Sequence, residues 1–203
     1  MAKARSKSAE QNAIDLLMED HKHVQKLFRD FEKLDREDTE ACQEVVSQAC
    51  AELKVHSMIE KEIFYPAMRD QSDKEEDEDL LNEAEVEHQT ADQLVETLEG
   101  MDAADAMYAA HFKVLSEYVK HHMKEEEKEM FPRAKKMKSL DLDALGEEMM
   151  SRKQALMAEF GLAGTAGDAE LVELEEDEES SASGEEDAEQ KEKATTRQSR
   201  ARR

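Results

Sequence analysis

Two stretches of this chain place a histidine and a glutamate four residues apart: His56 with Glu60, and His122 with Glu126. At that spacing two side chains share one face of a helix, about 5–6 Å apart at Cβ, so a ring nitrogen and a carboxylate can aim at one point. Both pairs belong to a longer internal repeat. Val55–Pro66 (VHSMIEKEIFYP) parallels Lys120–Pro132 (KHHMKEEEKEMFP), with Glu at +4 and Pro at +10 from the histidine in each. His56 and His122 lie 66 residues apart, as do Glu60 and Glu126, and Pro66 and Pro132. Upstream, EDHKHV around His21 parallels VEHQTA around His88, 67 residues on. Each half therefore reads as a helix with one histidine, a loop, and a helix with His-x-x-x-Glu.

The neighbours of these residues show which way they point. His21 has Ile14, Leu17, Met18, Val24 and Phe28 on its helical face; His56 has Ala49, Leu53, Ile59 and Ile63. His88 has Leu81, Ala84, Ala91 and Val95, and His122 has Leu115, Tyr118 and Met130. All four histidines face an apolar seam, and Glu60 and Glu126 follow them inward. A buried carboxylate is costly unless it is paired or bound to metal. Two such glutamates among four inward histidines are hard to satisfy with hydrogen bonds alone. Two divalent cations would satisfy them, with carboxylates bridging and imidazoles filling terminal positions. The candidate ligands are thus His21, His56, Glu60, His88, His122 and Glu126. Nitrogen and oxygen donors without thiolate suit iron, manganese or zinc. A single inward histidine is more often an ordinary core residue; four at repeat-related positions, two with Glu at +4, favour a metal site. His121 with Glu125 is an alternative register for the last pair. His23 and His121 have charged or polar neighbours and read as solvated. His111 lies on the stripe of His122, but 11 residues is about 16 Å of helix, so core or outer-sphere packing fits it better. Tyr108 and Tyr118 read as packing residues, although Tyr118 lies one turn from His122.

The elements that must position these residues are helical. Among the 203 residues there is no Trp, and there are only two Pro and six Gly. Ala, Leu, Met, Glu, Lys and Gln dominate the long uninterrupted stretches. Apolar residues recurring at three and four predict helices over about 13–34, 39–68, 75–99, 105–136 and 140–160, with Gly100 as a C-cap of the third. Two helical hairpins related by the repeat pack as an antiparallel up-down-up-down four-helix bundle. The expected fold is therefore all-α, with a short fifth helix at the C-terminal end. Residues 1–10 read as a loose, slightly basic leader and 11–160 as the bundle. Residues 161–203 read as a disordered acidic tail with a basic end.

The formal net charge of −24 argues against nucleic-acid binding, which needs a basic face. The polar start lacks the apolar core of a signal peptide, and no run approaches the roughly 20 apolar residues of a membrane helix. Cys42 and Cys50 lack zinc-type spacing and read as reduced, buried thiols. Together these features predict a cytoplasmic protein without a membrane anchor. The acidic tail reads as a solubilising segment, or as a docking element for a basic protein partner.

The motifs DHxxV with His21, HxxxEKxIFYP with His56 and Glu60, EHxxA with His88, and HxxxEExxMFP with His122 and Glu126 resemble those of the hemerythrin family in its bacterial HHE form. The resemblance spans about 13–136. It implies a bridged, non-haem di-iron centre that binds O2, sometimes NO, or responds to iron, with roles in sensing, storage or detoxification. One departure stands out. Where oxygen-carrying hemerythrins have a second histidine one turn after the third-helix histidine, this chain has Asp92. That loss favours sensing or redox chemistry over reversible O2 carriage. The alternatives are a di-iron redox enzyme, peroxidase-like or handling nitric oxide, and a structural bundle whose acidic tail recruits a partner.

Overall fold

The computed structural model describes residues 11–72 and 74–162. The expected leader, and the tail from 163 onward, lie outside the described residues. The described chain is helical: α1 (Ala13–Lys33), α2 (Thr39–Ile59), a π-helical turn π1 (Glu60–Phe64), α3 (Tyr65–Gln71), α4 (Glu75–Glu99), α5 (Tyr108–Glu125), a second π turn π2 (Glu126–Met130), α6 (Phe131–Ala134) and α7 (Leu142–Glu159). Side-chain caps set three of the starts. Asn12 accepts from the Ile14 and Asp15 amides, Asp38 from that of Ala41, and Asp141 from that of Ala144. Helix α4 has no such cap, but Glu75, Glu76, Asp77 and Glu78 fill its first turn, where negative charge suits the helix dipole.

Four rods form the bundle: α1, α2–π1–α3, α4 and α5–π2–α6. Helix α1 packs on α2 and α5, and α4 packs on α5 and α2. The antiparallel four-helix arrangement expected from the repeat is therefore present. The fifth helix, α7, lies against α1, α2 and π1. Two apolar clusters fill the interior. One includes Leu17, Ile59, Tyr65, Leu81, Phe131 and Leu156; the other includes Val24, Phe28, Leu53, Val95, Phe112 and Val119.

Two features differ from the expected helices. The fourth starts at Tyr108 rather than 105. The Asp102 and Asp105 carboxylates accept from the amides of Ala104 and Met107 two residues on, holding the segment in turns. The second and fourth helices also do not run through uniformly. Each widens into a π turn that opens at the motif glutamate, and the Tyr65 and Phe131 amides reach back five residues to the Glu60 and Glu126 carbonyls. Pro66 and Pro132 follow directly. A proline lacks an amide hydrogen and its ring clashes with the carbonyl four residues back, and the wider turn accommodates both.

Candidate metal centre

Between the two apolar clusters lies a polar layer. Its members come one from α1 (His21), one from α2 (His56), one from π1 (Glu60), one from α4 (His88), one from α5 (His122) and one from π2 (Glu126). Glu60 and His21 are fully buried, and none of the six exceeds 7% exposure. The structure thus brings all six sequence-predicted ligands together. Donor atoms of His21, His56, Glu60 and Glu126 lie within 4.8 Å of one another, as do those of Glu60, His88 and His122. Glu60 belongs to both groups, the placement of a bridging carboxylate. Glu126 also spans them, with one oxygen 3.2 Å from His21 Nε2 and 3.5 Å from His122 Nε2. His56 and His88 approach Glu60 at 3.3 and 3.4 Å.

These close approaches are not hydrogen bonds. His21 Nε2, His56 Nε2, His122 Nε2, both Glu60 oxygens and one Glu126 oxygen are buried without a hydrogen-bond partner. Each such group costs about 1–3 kcal/mol. Six together rival the roughly 5–15 kcal/mol net stability of a domain. Cations at the two focal points would partner every one of them, so the donor set fits a pair of metal ions.

On the outward side, each ring is held through Nδ1. Glu127 contacts His21 at 2.9 Å, Asp20 contacts His56 at 3.5 Å, Ser57 Oγ contacts His88 at 2.7 Å and Glu87 contacts His122 at 2.7 Å. A partner on Nδ1 leaves the Nε2 lone pair for a metal. These supporting residues escape a reading of ligand spacing, yet they carry a signal. Asp20, Ser57, Glu87 and Glu127 each sit next to a candidate ligand and support a ligand on the neighbouring rod.

Tyr65 also joins this layer. Its hydroxyl donates to Glu126 Oε1 at 2.9 Å and lies 2.8 Å from His88 Nε2, adding an oxygen to the donor cluster. The repeat partner of Tyr65 is Phe131, whose ring stacks on His21 with centroids 5.7 Å apart. One half of the centre carries a phenol where the other carries a phenyl.

Burial pushes the Glu60 carboxyl well above the usual range, and the neighbouring Glu126 charge reinforces this. Burial acts on Glu126 in the same sense, but His122, His21 and His56 outweigh it and hold that carboxyl low. Burial lowers His56 and His88. It also opposes the charging of His21 and His122, yet the carboxylates around them win and raise both. Burial holds the Tyr65 hydroxyl well above its usual value, so it is a proton donor.

The other candidates separate cleanly. His121 is exposed and pairs with Glu125 at 3.3 Å. His23 is not simply solvated, because Glu52 holds it at 2.6 Å. His111 turns its ring to the Met107 carbonyl of the preceding turn rather than serving the centre. Asp92 pairs with Lys61 at the surface. Cys42 and Cys50 are free, buried thiols. A cavity of about 30 Å³, room for one small molecule, lies against His56, His88 and His122, with Ser57, Asp92 and Tyr118 among its walls. Among the described residues no helix is long and apolar enough to cross a membrane.

Residues 12–134 match the model of the hemerythrin HHE cation-binding domain. The fold is similar to the crystal structure of a hemerythrin HHE cation-binding domain-containing protein from Mycobacterium kansasii. That match has a TM-score of 0.63 and 23% identity, and covers 77% of this chain and 93% of the other. No curated protein matches the sequence.

Proposed function

Because the chain belongs to the hemerythrin HHE cation-binding family, we propose that it is a non-haem di-iron protein that binds a small ligand such as O2 or NO, or responds to iron itself. Its role is sensing, storage or detoxification. The observation that carries this reading is the set of buried, unpartnered nitrogen and oxygen atoms converging from His21, His56, Glu60, His122 and Glu126, with His88 completing the second group. Iron bound there would supply a redox-active pair with coordination positions left for a small ligand. The chain's residues do the rest. Glu60 and Glu126 would neutralise the charge of the pair, the four imidazoles would supply its nitrogen donors, and their outer partners fix which ring nitrogen faces inward. The cavity of about 30 Å³ beside His88 and His122 offers room for a small ligand next to the centre.

A second reading, a di-iron redox enzyme, is favoured by Tyr65. Its phenol holds a proton within hydrogen-bond reach of both His88 and Glu126, a placement suited to proton delivery. Metal analysis with the visible spectrum of aerobically purified protein tests the common core of both readings. About two irons per chain with near-ultraviolet charge-transfer absorption is expected. A chain that takes up zinc or manganese but no iron would overturn the di-iron assignment. Turnover of peroxide or nitric oxide, lost in Tyr65→Phe while iron is retained, would select the enzyme.

A further inference from the structure

The centre is built by a repeat, so its two halves should be alike, and the outer supports show where they are not. Asp20 precedes His21 and supports His56; Glu87 precedes His88 and supports His122. The two carboxylates are repeat partners performing the same task. They differ in what lies behind them. The Lys153 ammonium donates to Asp20 Oδ1, the oxygen not turned to His56. Among the described residues no lysine or arginine is paired with Glu87, whose partner is His122 itself. Lys153 belongs to α7, which has no counterpart in the repeat and lies beyond the residues matched by the family model.

The approach of α7 is specific. Gly146 faces the start of α1 so closely that a Cβ there would stand 2.8 Å from both the Ala13 nitrogen and the Asn12 carbonyl carbon, and closer still to the Gln11 carbonyl oxygen. Seven residues further along both helices, Lys153 meets Asp20. The contact is 10% exposed on the Asp20 side and 21% on the Lys153 side, so the charge acts where solvent screens it weakly. Next to it, Arg152 ties the same helix to Glu62 of π1 at 2.6 Å, a contact that docks α7 without touching a histidine support.

Resting on the di-iron reading above, we propose that Lys153 is a positioning residue that makes the two metal positions inequivalent. By drawing charge from Asp20 and fixing its carboxylate, it weakens the electron donation that His56 offers and raises the reduction potential of the position held by His21 and His56. The physical basis is twofold. A carboxylate on Nδ1 makes an imidazole a stronger donor, and a lysine on that carboxylate takes back part of its charge. The ammonium is also a positive charge close to the centre, and positive charge disfavours the higher oxidation state.

The test uses the full-length, iron-loaded protein and reads midpoint potentials by spectroscopic redox titration. Lys153→Met should shift one of the two potentials downward, and Lys153→Arg should restore it. Asp20→Asn, titrated with excess iron because outer-support changes typically cost about 10–100-fold in metal affinity, should shift it upward. In the Asp20→Asn background the Lys153→Met shift should shrink, since the lysine acts through that carboxylate. Arg152→Met, which loosens α7 but leaves the relay intact, should leave both potentials in place, whereas Gly146→Ala should act like Lys153→Met. Unchanged potentials in Lys153→Met, or equal shifts in Arg152→Met, would overturn the proposal while leaving the di-iron centre standing. A wild-type chain that holds no iron would overturn both.

Discussion

The Tyr65 hydroxyl donates to Glu126 Oε1 across 2.9 Å and so joins the two repeats at the centre. Tyr65 closes the first His-x-x-x-Glu segment and Glu126 belongs to the second. Two π turns at matching places, π1 and π2, open at Glu60 and Glu126 and lead directly into Tyr65 and Phe131.

Tyr65→Phe should therefore lower stability while sparing the ligand set. It leaves a buried carboxylate oxygen without its donor, a loss of about 1–3 kcal/mol. A fall in melting temperature of several degrees is expected by calorimetry, with iron content still about two per chain. A melting temperature equal to that of the wild type would show that the bond contributes nothing.

Glu60 shares its carboxylate between both groups of donors, so Glu60→Ala should abolish the two-metal centre, and Glu126→Ala should do the same. Iron content is expected to drop from about two per chain to one or none. Glu60→Gln guards against a folding failure by preserving volume. A Glu60→Ala/Glu126→Ala double variant that still held two irons would remove these residues from the site.

Iron should be released as pH falls below about 6, because each imidazole must be neutral to ligate. A proton on Nε2 competes with the metal for the same lone pair, so acid displaces the metal from each ring. Dialysis across the pH range with metal analysis checks this, and iron retained at pH 4 would speak against imidazole ligation.

Away from the centre, Asp77 ties the start of α4 to α6 through Arg133 at 2.7 Å and is only 3% exposed. Burial opposes its charge, but Ser72 and Arg133 prevail and its carboxyl lies below the usual 3.8. A lowered folded value stabilises the protein above the unfolded value, and that stability is lost as pH falls through the folded one. Asp77→Asn should cost about 1–3 kcal/mol at pH 7. Its deficit against the wild type should narrow below pH 3.8, as measured by urea unfolding at a series of pH values. A deficit that stayed constant with pH would assign the effect to packing.

The four-rod bundle and the six candidate ligands were legible in the chain because both are local and periodic. Apolar residues at three and four mark one face of a helix, and a histidine four residues before a glutamate shares that face whatever lies opposite. The repeat doubled the signal, since residues 66 apart in the sequence had to meet in one core. Pro66 and Pro132 marked where the second and fourth helices had to depart from regular geometry, but not that the departure would be a π turn.

What the tertiary structure alone decided are the contacts between rods. Nothing in local spacing says that Asp20 should support His56, that Tyr65 should reach Glu126, or that Lys153, more than a hundred residues from Asp20, should stand behind it. Side-chain periodicity determines which face a residue occupies, but not the register or crossing of the helix it meets. Those depend on close packing, as where Gly146 lets α7 settle on the start of α1. The candidate ligands were legible in the sequence; their outer supports and the difference between the two halves of the centre arise only when the helices pack.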